Sequence, residues 1–153
     1  MVKWKLRIAV CLAIAGLNGA VALADQPSPK WIVEDFSRML EAHHALAAVE
    51  KYVSADYVEH DPSTEGGDRP GLIKYIKDTG WDEPKSFQAV VHRDRTIASG
   101  ELVVVHQHLR LGPNDPWMAV VDIFRVSHGK IVEHWDVVQT VPTKPANTKY
   151  PMY

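Results

Sequence analysis

Val120-Val121-Asp122-Ile123-Phe124-Arg125-Val126-Ser127-His128-Gly129-Lys130-Ile131-Val132-Glu133-His134-Trp135-Asp136-Val137-Val138 is the stretch whose reading decides the fold. Two runs rich in β-branched and aromatic residues flank Ser127-His128-Gly129, and a short loop ending in Gly joins antiparallel strands. With all three residues in the loop, Val126 faces Lys130, Phe124 faces Val132, Asp122 faces His134 and Val120 faces Asp136. Side chains alternate along a strand, so Asp122, His134 and Asp136 then share one sheet face. Their neighbours on that face are Met118, Val120, Phe124, Val132 and Val138. A two-residue His128-Gly129 turn gives a different register: Asp122 opposes Trp135 and the two carboxylates part to opposite faces. In a third reading, Asp122 and His134 form only a structural pair across the strands.

The shared-face register has chemical consequences. A carboxylate in an apolar surface must change its protonation or find partners. Desolvation raises its pKa, and a second carboxylate nearby raises one of the pair further. The product is an acid or base that works near neutral pH.

Working outward, the chain places helices before strands. Ser28 caps a helix that carries Pro29 in its first turn, with Trp31, Ile32, Asp35, Phe36, Met39 and Leu40 as its stripe. A second helix covers 46–52, an extended segment 58–62, a Gly-rich loop 63–70 and a third helix 71–78 that Thr79-Gly80 stops. Strands follow at 86–97, 101–111, 117–126 and 130–141. Helices first and an antiparallel sheet after mean an α+β fold, with helices packed on one sheet face. The other face carries Ala119, Val121, Ile123, Ile131, Trp135 and Val137, and a homodimer through the back of the sheet would cover it.

The N-terminus reads as an export signal, residues 1–24. Lys3, Lys5 and Arg7 precede an apolar run from Ile8 to Val21, and Ala22-Leu23-Ala24 has the form of a cleavage site. Cleavage there leaves 14 Lys and Arg against 19 Asp and Glu, a formal charge of −5. An acidic chain does not suit a phosphate backbone, so nucleic acid is not expected as a partner. The expected product is a periplasmic or secreted protein with no membrane segment left. It has a domain over 25–142 and a Pro-rich tail over 143–153. Cys11, the sole cysteine, leaves with the leader.

Val121 to Val126, Gly129 to Asp136, and Gln139 together resemble the closing hairpin of SnoaL-like proteins, in the nuclear transport factor 2-like superfamily. Asp56-Tyr57-Val58-Glu59-His60-Asp61-Pro62 resembles the segment after that family's second helix. The resemblance runs from about Trp31 to Pro142. It implies a cone-shaped, cystatin-like fold in which a curved antiparallel sheet wraps around the N-terminal helices, and it implies dimers. It favours the shared-face register. In the family's polyketide cyclases an Asp on the last strand is the acid/base of an aldol closure, and its match is Asp136. Those enzymes carry a His where this chain has Asp122, so the chain departs from them at that position.

The expected site is therefore Asp136 as proton carrier with Asp122 and His134 tuning it, all three catalytic. Tyr57, His60, His106, His108, Phe124 and Trp135 are the expected substrate contacts. His106 and His108 share a strand face that points either into the pocket or to solvent. Gly100, His106 and His108 match the start of a cupin metal motif, but Pro113 stands where its Glu would be. No metal and no cofactor is expected. Acid/base chemistry on a small apolar carbonyl compound is the leading reading, with an enolate held by His60, His106 or His108. The rivals are a non-catalytic module for an apolar ligand and a metal-dependent enzyme using the histidines.

Overall fold

The computed structural model describes residues 26–85 and 88–153, so the expected leader lies outside the described residues. Helix α1 spans Pro29–Glu41 and α2 spans Ala45–Tyr52. Strand β1 covers Val53–Glu59, and α3 covers Arg69–Thr79. Strands β2 Val90–Ser99, β3 Leu102–Arg110, β4 Met118–Ser127 and β5 Lys130–Thr140 follow. The helices lie within a residue or two of their expected bounds, and so do β3, β4 and β5.

Local chemistry explains the helix ends. The Ser28 hydroxyl accepts from the Trp31 amide at 3.2 Å, which satisfies one of the free N–H groups of α1. Asp68 does the same for Gly71 at 2.9 Å, and Gly80 closes α3 in the left-handed region. Asp35, on the apolar stripe of α1, is buried. It is matched by Lys51, Tyr52 and Arg38, which hold its carboxyl down at about 2 and tie α1 to α2.

The five strands form one curved, unclosed sheet in the order β1-β5-β4-β3-β2. Four strands run antiparallel. The departure from expectation is β1, which joins the edge parallel to β5. The helices pack on the inner face around Ile32, Val33, Val49, Val103, Val105 and Ile131. None of the helices among the described residues is long and apolar enough to cross a membrane.

The β4–β5 hairpin combines both registers weighed above. Its turn has two residues, because Ser127 pairs with Lys130, and His128 and Gly129 both have positive φ (51° and 77°). Those angles make the type I′ turn that suits the strand twist. On its own this turn would send the carboxylates to opposite faces. A β-bulge intervenes: Val126 pairs with Ile131 but Arg125 pairs with Glu133, so Val132 is an extra residue. Beyond the bulge Phe124 faces His134 and Asp122 faces Asp136. The acidic pair and the imidazole thus return to one face, each shifted by one pair from the three-residue expectation. Ile131 turns inward instead of lying on the back, and is buried at 1% exposure.

The C-terminal segment reaches the outer face of the sheet. The Tyr153 ring stacks on His108 at 3.7 Å between centroids. His92 lies on the other stacking contact of His108, at 4.8 Å.

Gly71 is the tightest backbone approach. A Cβ there would lie 1.7 Å from the Glu65 carbonyl oxygen. Gly71→Ala should therefore lower stability by about 1–3 kcal/mol, the usual cost of overpacking. Urea denaturation of the variant against the parent checks this.

Candidate functional site

Register alone assembles the polar centre. Glu59 on β1 lies beside His134 on β5, and Asp122 on β4 lies across from Asp136. On β3, Val105 pairs with Asp122, so alternation brings Gln107 to the same face. These side chains reach one wall of a cavity of about 600 Å³. The opposite wall is made largely by Phe36, Leu40, Leu72, Tyr75, Ile76 and Trp81 from the helical layer and the turn after α3.

His134 sits between two carboxylates. Its Nδ1 is 2.9 Å from Glu59 Oε1 and its Nε2 is 3.3 Å from Asp122 Oδ1. Both ring nitrogens face acceptors, so both must donate, and the ring that does so is the imidazolium. Burial opposes that charge. The hydrogen bonds to Asp122 and Glu59, together with their charges, outweigh burial and carry His134 up to about 9. Its ring also stacks on Phe124, centroids 4.6 Å apart.

Each carboxylate flanking His134 has a further donor. Asp122 Oδ2 accepts from Gln107 Nε2 at 2.8 Å. Glu59 Oε2 accepts from the Tyr57 hydroxyl at 2.5 Å, and Oε1 accepts from the Asp61 amide at 3.1 Å. Burial works to raise Glu59, but the bond and charge of His134 win and hold it below the ordinary carboxylate range. Burial and the Glu59 bond push the Tyr57 hydroxyl up, so it stays a donor. Gln107, Asp122, His134, Glu59 and Tyr57 thus form one continuous chain of hydrogen bonds across four strands.

Asp136 stands apart from that chain. It lines the cavity, and no described residue hydrogen-bonds to its carboxyl. Burial raises its pKa first and the charge of Asp61 second. Asp122 and Glu59 add to the rise, and His134 counters it in part. The result is a half-buried carboxyl, open to the cavity, with a strengthened hold on its proton.

Of the residues singled out from sequence, Asp122, Phe124, His134, Asp136 and Tyr57 come together at the cavity. Four do not. Asp122 pairs with Val105 across β3–β4, so alternation sends His106 and His108 to the outer face, opposite Val121 and Ala119. There His106 meets Arg95 at 2.8 Å and His108 meets Asp94 at 2.9 Å. Trp135 pairs with Ile123 on the same outer face. His60 stacks on Trp135 at 4.7 Å and reaches Glu133 at 3.0 Å. The expectation that His60, His106 and His108 hold a developing enolate is therefore corrected by strand alternation, and so is Trp135 as a ligand contact.

Glu59 and Gln107 were missed. Strand alternation carried the signal in both cases. Tyr57 and Glu59 share one side of β1 while Val58 and His60 share the other, so Tyr57 and His60 are not partners on one wall. Gln107 continues the buried Val103 and Val105 side of β3. Among the described residues no group of three or more His, Cys, Asp or Glu is placed to hold a metal ion.

The comparisons agree with this architecture. The profile of the SnoaL-like domain matches residues 33–134, and the chain belongs to that family. Solved structures of nuclear transport factor 2-like proteins share the fold. Wild-type IdmH, a putative polyketide cyclase from Streptomyces antibioticus, is 20% identical with a TM-score of 0.60, over 73% of this chain and 92% of that one. A putative polyketide cyclase from Acidithiobacillus ferrooxidans is 17% identical with a TM-score of 0.57, over 72% and 88%. An LEH-like epoxide hydrolase of M. tuberculosis is 19% identical with a TM-score of 0.55, over 72% and 82%. At these identities the likeness concerns the fold. No curated protein sequence matches the chain.

The imidazolium has a pH signature. His134 holds its proton more tightly folded, near 9, than at its ordinary 6.5. Its contribution to stability is complete below about pH 6.5 and is lost as pH rises through about 9. Glu59→Gln should move the His134 ring titration to lower pH and shrink that alkaline loss. NMR titration of the ring and urea melts across the same range measure both.

Proposed function

We propose that the cavity performs general acid/base chemistry on a small, mostly apolar carbonyl compound, of the aldol, isomerisation or dehydration type. The observation that carries this reading is the isolation of Asp136. Its carboxyl is exposed to the cavity and raised by burial and by like charge, while its neighbours are locked in mutual hydrogen bonds. A group so placed exchanges a proton with whatever occupies the cavity.

The other polar residues have supporting roles in this reading. His134 is already protonated at neutral pH, so it serves as a fixed charge that keeps Glu59 ionised. Asp122 and Asp61 keep the Asp136 proton available by repelling its conjugate base. Tyr57 and Gln107 hold the flanking carboxylates in place. No cofactor is needed for such a transfer. The rest of the wall excludes water and orients an apolar body.

Two further parts of the proposal concern the protein's setting. Export would follow cleavage near Ala24. A second copy of the chain would cover the back of the sheet, where Val137 and Ile97 are 66% and 59% exposed.

Asp136→Asn keeps the size and removes the titration. On a substrate found by screening small ketones and aldehydes, turnover should fall on the order of 10²–10⁴-fold, the usual contribution of one positioned acid or base. Undiminished turnover in this variant overturns the assignment. In the parent, any step that uses protonated Asp136 should slow as pH rises through its elevated pKa. A rate profile over pH checks the direction.

A further inference from the structure

The cavity wall carries charge of essentially one sign. Among the described residues no Lys or Arg lines it, and five carboxyl groups do: Glu41, Glu59, Asp61, Asp122 and Asp136. Arg93 is the cation on the adjoining inner face of β2, and it is ion-paired with Glu41. Removing that pair leaves four carboxyl groups against one imidazolium. His134 directs both nitrogens at Glu59 and Asp122, so neither N–H is left for a ligand. The histidines expected to hold negative charge stand on the other side of the sheet. An anionic group entering this space would meet acceptors and repulsion, and would give up its hydration without a countercharge.

A positive group would meet the opposite situation. Among the described residues neither Asp136 oxygen has a hydrogen-bond donor. Asp61 lines the same cavity as Asp136, and among the described residues its carboxylate is bonded only by Ser63, at 2.7 to 2.8 Å. Aromatic side chains, Phe36, Tyr57, Tyr75, Trp81 and Phe124, make up much of the surrounding wall. Aromatic rings and carboxylates together favour organic cations.

We propose that the cavity selects for positive charge, and that its ligand is an apolar molecule bearing a basic nitrogen seated against Asp136 and Asp61. The inference rests on the reading of this cavity as the ligand site and narrows the class of compound it takes. Carboxylates, phosphate esters and substrates tethered to phosphate-containing carriers are rejected. For the chemistry proposed above, the same wall favours adding a proton to a carbonyl oxygen over releasing a bare enolate.

A matched series tests this: 1-adamantylamine, 1-adamantanol and adamantane-1-carboxylate at pH 7, titrated calorimetrically into the purified protein. The three share one rigid apolar body, which a cavity of about 600 Å³ accommodates. The amine should bind at least tenfold more tightly than the alcohol, and the carboxylate at least tenfold more weakly. The alcohol should displace the amine competitively. In Asp61→Asn and Asp136→Asn, each confirmed folded by its thermal melt, the amine's advantage over the alcohol should shrink severalfold. A carboxylate that binds as well as the alcohol overturns the proposal. So does an amine advantage that survives both substitutions. The two readings fail separately. Full turnover by Asp136→Asn sinks the acid/base role and leaves the charge preference standing, whereas equal binding across the series does the reverse.

Discussion

The extra residue at Val132 is the constraint on which the polar centre depends. A type I′ turn at His128-Gly129 sets the twist of the hairpin, but it also sets the phase of every side chain beyond it. Left uncorrected, that phase would place His134 and Asp136 on the back of the sheet, away from Asp122. One unpaired residue restores the phase. The two-residue turn itself sets Ile131 opposite Val126 and into the core, ahead of the bulge. The turn therefore serves the packing of Ile131, and the bulge beside it serves the polar centre. A bulge beside a functional wall is a common device for re-aiming side chains.

Placing several ionisable groups in a half-buried space is costly unless they satisfy one another. Here the cost is divided unevenly. Glu59, His134 and Asp122 form a compensated set in which each acceptor oxygen meets a donor, and Tyr57 and Gln107 complete the ends. Asp136 is left out of that arrangement and carries the strain of its neighbours' charge. The stable set and the reactive group are thus separate residues within one cluster. Breaking one partner of the compensated set would leave a buried charge unmatched, while altering Asp136 removes a charge the fold does not need.

Much of this was legible in the sequence. The helix cap at Ser28, the stop at Thr79-Gly80, the order of helices before strands, and the apolar alternation of β4 and β5 all have local causes. Asp122, His134 and Asp136 were placed on a common face for a reason that turned out to involve two compensating shifts. The three-residue loop and the turn-plus-bulge hairpin have the same parity, and no local signal separates them. What stayed hidden was set by distant pairing. That β1 adds to the edge parallel to β5 depends on a contact across more than seventy residues, and it alone makes Glu59 a neighbour of His134. His106 and His108 were ambiguous because β3 is apolar on both sides. Only its register with Asp122 decides which side is inward.

The Tyr153 stack on His108 gives the back of the sheet two unlike halves. The end around His92, His108 and Trp117 is roofed by Tyr153. In the row through Ile97, Val104, Ile123 and Trp135, His60 covers Trp135, while Ile97 is 59% exposed among the described residues. A mating surface would have to sit off-centre, toward the hairpin end, or first displace Tyr153. Replacing Tyr153 would bare that half and widen the footprint, so the seating of one ring bears on any measurement of self-association.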